Sequence, residues 1–234
     1  MLVGFLFASA LWGCGGGGVS ITPSVRTLRV MPLGDSLTQG TTENIGYRRD
    51  LWLALQAQGA NVDFVGSQRG TPWGEPPQTD FDWDHEGHWG YTTPQLLANV
   101  DGWLASAQPD IVLLLAGSND LISGGTSEGA AQGIESLIGR IRAANPSVRI
   151  VLGKIPPIGN VTYDVEGLNA RIEAIAARLD QPGSPIRIAD LNTGFDCSKD
   201  TFDLVHPNSL GASLLSSRWL AALKTLLPSS TGAN

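Results

Sequence analysis

Five short apolar segments alternate along this chain with stretches whose apolar residues recur every three to four positions. The segments cover residues 26–33, 61–65, 110–115, 148–152 and 185–190 and are rich in Val, Ile and Leu. Runs of that length and composition, bounded by polar residues, read as buried strands. The stretches between them predict helices over 46–58, 94–107, 127–144 and 165–179, with a last helix over 209–227. In the first, Tyr47, Leu51 and Leu55 share a stripe and Gly59 ends it. The second is expected to begin at Thr93, ahead of a proline in the first turn, and the third ends at Asn145-Pro146. Strands separated by helices pair in parallel, with the helices packed on both faces. The expected fold is therefore α/β, a three-layer α/β/α sandwich around a five-stranded parallel sheet.

A length of 234 residues suits one such domain. No internal repeat or second domain interrupts the alternation, so residues 26–234 are expected to form a single unit. The net charge of -7, with no basic cluster, argues against a nucleic-acid partner. Ahead of this unit, the run MLVGFLFASALWGCGGGG carries no charge and is short for a bilayer span. With LWGC at its end it resembles a bacterial lipoprotein signal, in which Cys14 becomes the lipidated residue and the glycines a flexible tether. Residues 1–25 are thus expected to be a signal and tether, and the chain to be exported and held at a membrane through Cys14. Cys197 is then an unpaired, structural thiol.

In a sheet of this kind ligands bind at the carboxyl ends of the strands, near the point where the strand order reverses. The first strand runs directly into Gly34-Asp35-Ser36, and the third into Ala116-Gly117-Ser118-Asn119-Asp120. A loop after the fifth strand carries Asp203-Leu204-Val205-His206-Pro207. All three clusters fall at one edge. Residues 125–129, GTSEG, match the G-x-S-x-G pattern of a nucleophile elbow, but that turn must follow a strand directly. The nearest strand ends about twelve residues earlier, and Ser127 reads as a helix N-cap. Ser36 is the expected nucleophile. A serine hydroxyl needs a base; of the three histidines, His85, His88 and His206, the last has Asp203 three residues before it in the same loop to orient its ring toward Ser36. Asn119 offers an amide to an oxyanion beside the Ser36 N–H.

GDSLTQG, a later glycine, GSND and DLVHPN, in this order and spacing, resemble the four blocks of the SGNH/GDSL hydrolase superfamily over residues 27–227. The resemblance implies a flavodoxin-like fold, Ser36 as nucleophile, His206 as base and Asp203 as its orienter. It implies an oxyanion hole built from Ser36 N–H, a glycine N–H and Asn119. Gly90 aligns best with that glycine and Gly87 is the runner-up. VMPLGDSLTQG, YRRDLWLALQAQGANVDFVGSQ, DHEGHWGYTT and PDIVLLLAGSNDL are similar, more narrowly, to carbohydrate esterase family 3, typically acetyl xylan esterases. On that comparison His85, Glu86 and His88 shape the loop and acyl pocket, so neither a metal nor a cofactor is expected. Asp35, Trp83, His88 and Trp89 are the candidate substrate-binding residues, with the two tryptophans as faces for sugar rings. The implied reaction removes a short acyl group from a carbohydrate ester through an acyl-enzyme. Two alternatives stand: a lysophospholipase or thioesterase for longer chains, and a glycan-binding surface lipoprotein without catalysis.

Overall fold

The computed structural model describes residues 26–159 and 162–228, so the apolar amino-terminal run, the glycine tether and Cys14 lie outside the described residues. In chain order the elements are β1 (Leu28–Gly34), α1 (Ser36–Gln39), α2 (Arg48–Ala57), β2 (Val62–Phe64), β3 (Gln68–Arg69), β4 (Asp84–Gly87), α3 (Thr93–Leu97) and α4 (Val100–Ala107). They continue as β5 (Ile111–Leu115), α5 (Ser118–Ile122), α6 (Ser127–Ala144), β6 (Arg149–Lys154), α7 (Val165–Leu179), β7 (Ile186–Asp190), α8 (Cys197–Asp200) and α9 (Ser209–Lys224).

The five expected strands are present and pair in parallel in the order β2-β1-β5-β6-β7. Helices α2 and α9 pack together on one face, and α4, α6 and α7 cover the other. Both faces are therefore buried, which is why β5 reads Ile-Val-Leu-Leu-Leu without alternation and why every residue in it is buried. Trp219 of α9 is fully buried, and its ring lies 5.3 Å from that of Tyr47, tying the last helix to the segment that follows the first strand.

The sheet is larger than the five strands expected. β4 adds to the carboxyl end of β1 through Leu33↔Glu86 and Gly34↔Gly87, and β3 pairs antiparallel with it. Asp84-His85-Glu86-Gly87 has no apolar pattern, so periodicity could not reveal it as a strand. Its polar side chains find partners inside the protein instead, as described below. The arrangement also explains Pro32 in a central strand. Val30 and Gly34 send their carbonyls to the same side of β1, to Val65 N–H and His88 N–H. An N–H at position 32 would face that side too, between the point where β2 leaves and the point where β4 joins. The missing donor of proline costs nothing there.

Three further differences are local. The helix expected over 94–107 breaks into α3 and α4, because the Asn99 side chain donates to the carbonyl of Gln95 and draws its own backbone out of the helical path. Its start lies one residue earlier than expected: Thr92 is the N-cap and forms a capping box with Gln95. Likewise Thr126, not Ser127, caps α6 by accepting from Gly129 N–H.

Candidate active site

β1 delivers Ser36 to the carboxyl edge of the sheet. Gly34 permits the approach, since a Cβ there would lie 2.1 Å from the carbonyl oxygen of Leu115 on β5. Asp35 turns the chain into α1 by accepting from Leu37 N–H with one carboxylate oxygen. Ser36 is then the first residue of a one-turn helix, and its own N–H has no acceptor among the described residues.

His206 arrives from the loop ahead of α9. Its Nε2 lies 2.9 Å from Ser36 Oγ, and its Nδ1 lies 2.6 Å from Asp203 Oδ2. A carboxylate can only accept, so Nδ1 carries the proton and Nε2 presents its lone pair to the serine hydroxyl. Asp203 Oδ1 also accepts from the N–H groups of Val205 and His206. Burial alone would push the Asp203 carboxyl up. The hydrogen bonds from His206 and Val205 outweigh it and hold the group below the usual carboxylate range. The loop is closed further by Asn208, which caps α9 and donates to the carbonyls of Lys199 and Thr201.

The loop after β4 borders the same edge. Gly87 N–H donates to His85 Nδ1, His88 N–H to Gly34 O and Trp89 N–H to Gln39 Oε1. Of these four consecutive amides, only that of Gly90 has no acceptor among the described residues. Gly87 is needed for a different reason: a Cβ there would sit 2.5 Å from the backbone nitrogen of Gln39. The free amide at the edge is therefore the one at Gly90. Asn119, in α5 directly after β5, donates from its side chain to Tyr91 O at 3.1 Å, which ties it to the same loop.

The remaining candidates have other surroundings. Asp35, expected to meet the substrate, is fully buried and offers no surface to it. Burial pushes its carboxyl up to about 7, against the Leu37 hydrogen bond and assisted by repulsion from Asp120, and its second oxygen has no partner among the described residues. Trp83 donates from Nε1 to Gln78 O and packs under Arg69. His88 is bound to Glu86 at 2.7 Å and stacks on Trp103 and Tyr91, so it belongs to the wall behind the loop. Trp89 does border the site, stacked on the His206 ring at 4.3 Å. Ser127 donates to Asp164 Oδ2 at 2.5 Å and lies in none of this.

His85 turns away from Glu86 and His88, which bind each other. His85 is buried, accepts at Nδ1 and so donates at Nε2 to Gly70 O. Burial, with the nearby charge of Arg48, lowers its pKa well below the usual imidazole value, and it is neutral. Glu86 accepts from Ser67 N–H, from Ser67 Oγ and from His88.

Sequence reasoning missed Arg48. It is fully buried and donates to the carbonyls of Thr38, Gln39 and Trp83, so one guanidinium joins the nucleophile turn to the loop ahead of β4. An arginine on the inward stripe with Leu51 and Leu55 was the available signal. It also missed Trp73 and Phe202, whose rings continue outward from Trp89 and His206.

A model of the GDSL-like lipase/acylhydrolase family matches residues 33–214. The multidomain esterase of Ruminococcus flavefaciens is 31% identical over 241 residues, covering 91% of this chain, and this chain spans 30% of that relative's length. The crystal structure of an acetyl esterase mutant with acetate ion superposes with a TM-score of 0.77 at 31% identity, covering 86% of this chain and 98% of its own. A carbohydrate esterase family 3 structure from Talaromyces cellulolyticus does so with a TM-score of 0.77 at 32% identity and the same coverage. With 182 residues matched, from the end of β1 to the middle of α9 (214 − 33 + 1), the chain belongs to the GDSL-like lipase/acylhydrolase family.

Proposed function

We propose that this chain is a serine esterase that removes short acyl groups, acetyl foremost, from carbohydrate esters through an acyl-enzyme on Ser36. The observation that carries the chemistry is the pair of contacts at His206, 2.9 Å from Ser36 Oγ and 2.6 Å from Asp203. The carbohydrate and acetyl preferences are supported by the relatives, titled as an acetyl esterase and a family 3 carbohydrate esterase.

In this reading Ser36 Oγ attacks the ester carbonyl as its proton passes to His206 Nε2. Asp203 steadies the imidazolium from the Nδ1 side. In the same reading the tetrahedral oxyanion is received by the N–H groups of Ser36 and Gly90 and by the Asn119 amide. His206 returns the proton to the leaving sugar hydroxyl, and the C–O bond to the sugar breaks. Water, deprotonated by His206, then attacks the acyl carbonyl; the acyl C–Oγ bond breaks, His206 returns the proton to Ser36 Oγ, and acetate leaves. The amino-terminal run ending in LWGC supports export, and a lipid on Cys14 would hold the enzyme at a membrane; the intact mass of membrane-extracted protein tests that attachment.

Hydrolysis rates for p-nitrophenyl acetate, butyrate and octanoate, with Ser36→Ala as control, test the proposal. We expect a steep fall beyond acetate and a loss of about 10⁴–10⁶ in kcat in the variant. A maximum at octanoate would instead favour a lipid ester, and activity that survives Ser36→Ala would remove the serine from the mechanism.

A further inference from the structure

Four large hydrophobic side chains are exposed among the described residues: Trp73, Ile122, Phe202 and Leu210. Two of them belong to one chain of ring contacts that runs through the catalytic histidine. Trp73 meets Trp89 edge to face at 4.7 Å, Trp89 stacks on His206 at 4.3 Å, and His206 lies 5.8 Å from Phe202 with the rings 20° from parallel. Trp89 is thus engaged by a ring on either hand. The outer rings are the open ones, Trp73 at 60% exposure and Phe202 at 48%.

Both outer rings sit on backbone that is held firmly. Trp73 lies in a turn closed by Thr71 N–H to Gly74 O and by Gly74 N–H to Thr71 O, and its own N–H donates to Thr71 Oγ1. Phe202 directly precedes Asp203, and its N–H donates to the carbonyl of His206. Large rings kept in water on rigid turns beside a reactive histidine carry a standing hydration cost. That cost is recovered when a ligand covers them.

We propose that Trp73 and Phe202 form the walls of a glycan subsite at the mouth of the active site, taking a pyranose ring of the alcohol part of the ester. The inference rests on the carbohydrate esterase reading above and names the residues that would select for it. A pyranose presents C–H groups of slight positive charge on its faces, which pack on the negative face of an aromatic ring. An acyl chain needs an enclosed apolar slot, whereas these two rings are open and stand apart on separate loops, Trp73 in the β3–β4 connection and Phe202 after α8. That arrangement suits a flat ring bearing hydroxyls that stay in water.

Steady-state kinetics on an acetylated xylo-oligosaccharide and on ethyl acetate, which has no ring in its alcohol, test the proposal with Trp73→Ala, Phe202→Ala and Trp73→Tyr. We expect each alanine variant to raise KM for the oligosaccharide on the order of tenfold, with a smaller change in kcat. The loss in kcat/KM for ethyl acetate should stay within about threefold, and Trp73→Tyr should recover most of the oligosaccharide KM. Equal losses on both substrates would mean that the rings only brace Trp89 and His206, and would overturn the subsite. So would a loss confined to esters of longer acyl chains. If the parent enzyme cleaves the oligosaccharide and the variants match it, the subsite alone fails. If the parent cleaves ethyl acetate but not the oligosaccharide, the carbohydrate reading fails and the subsite falls with it.

Discussion

Ser36 and His206 stand 170 positions apart in the chain, yet the ring nitrogen and the hydroxyl oxygen are separated by 2.9 Å. The residue beside Ser36, Asp35, has a different fate from the one its position suggests. It is sealed under α1 as a helix cap, with a carboxyl pushed up to about 7 by burial. In the unfolded chain the same group ionises near 3.8. Between those two values the folded state holds one more proton than the unfolded one, so stability must fall as pH rises through that window. Asp35→Asn keeps the oxygen that caps α1 and removes the titration. The variant's urea midpoint, relative to the parent, is therefore expected to climb between pH 4 and pH 8 and then level off. An offset that stays constant over that range would contradict the assignment.

At the scale of elements, the site depends on how three connections are held: the turn after β1, the loop after β4 and the loop before α9. The β1 turn and the β4 region are joined by Arg48, whose fork supplies donors to three separate carbonyls. Burial lowers its pKa to about 10, which still leaves it charged at neutral pH. A lysine has one compact ammonium and cannot reach three acceptors in that plane. Arg48→Lys should thus cost about 2–4 kcal/mol in urea unfolding and lower turnover on p-nitrophenyl acetate as the Gln39 and Trp89 contacts loosen. Unchanged stability and turnover would show that the bridge is dispensable. The strands and long helices were legible in the sequence because apolar periodicity reports burial. β4 was not, because its buried residues are His85 and Glu86, and polar side chains satisfied by distant partners leave no periodic trace.

For the whole molecule, the consequence is that catalysis and folding share one cooperative unit. Ser36 follows the first strand and His206 comes just before the last helix, and the two are brought together by a core that spans both faces of the sheet. α2 and α9 carry that connection, with Tyr47 against Trp219 and Ser213 hydrogen-bonded to Asp50. Loss of esterase activity in urea should therefore coincide with loss of tertiary structure followed by near-ultraviolet circular dichroism. Activity that disappears at clearly lower urea would identify the loop before α9 as a separately melting part.

The layered α/β fold and the residue types that gather at the carboxyl edge were already legible in the amino-acid sequence. Those follow from local physics: a run of β-branched residues must be buried, a Gly-Asp-Ser step after a strand must turn, and an aspartate three residues before a histidine can reach its ring. Which tryptophan borders His206, which of Gly87 and Gly90 has an amide without an acceptor among the described residues, and that Asp35 faces inward were settled by packing alone. Trp89 is held by Gln39 and meets His206, both far along the chain, and the Gly87 amide is taken by a His85 ring whose direction is fixed by Gly70. Side-chain direction at a loop is set by such contacts, and no short stretch of sequence contains both halves of them.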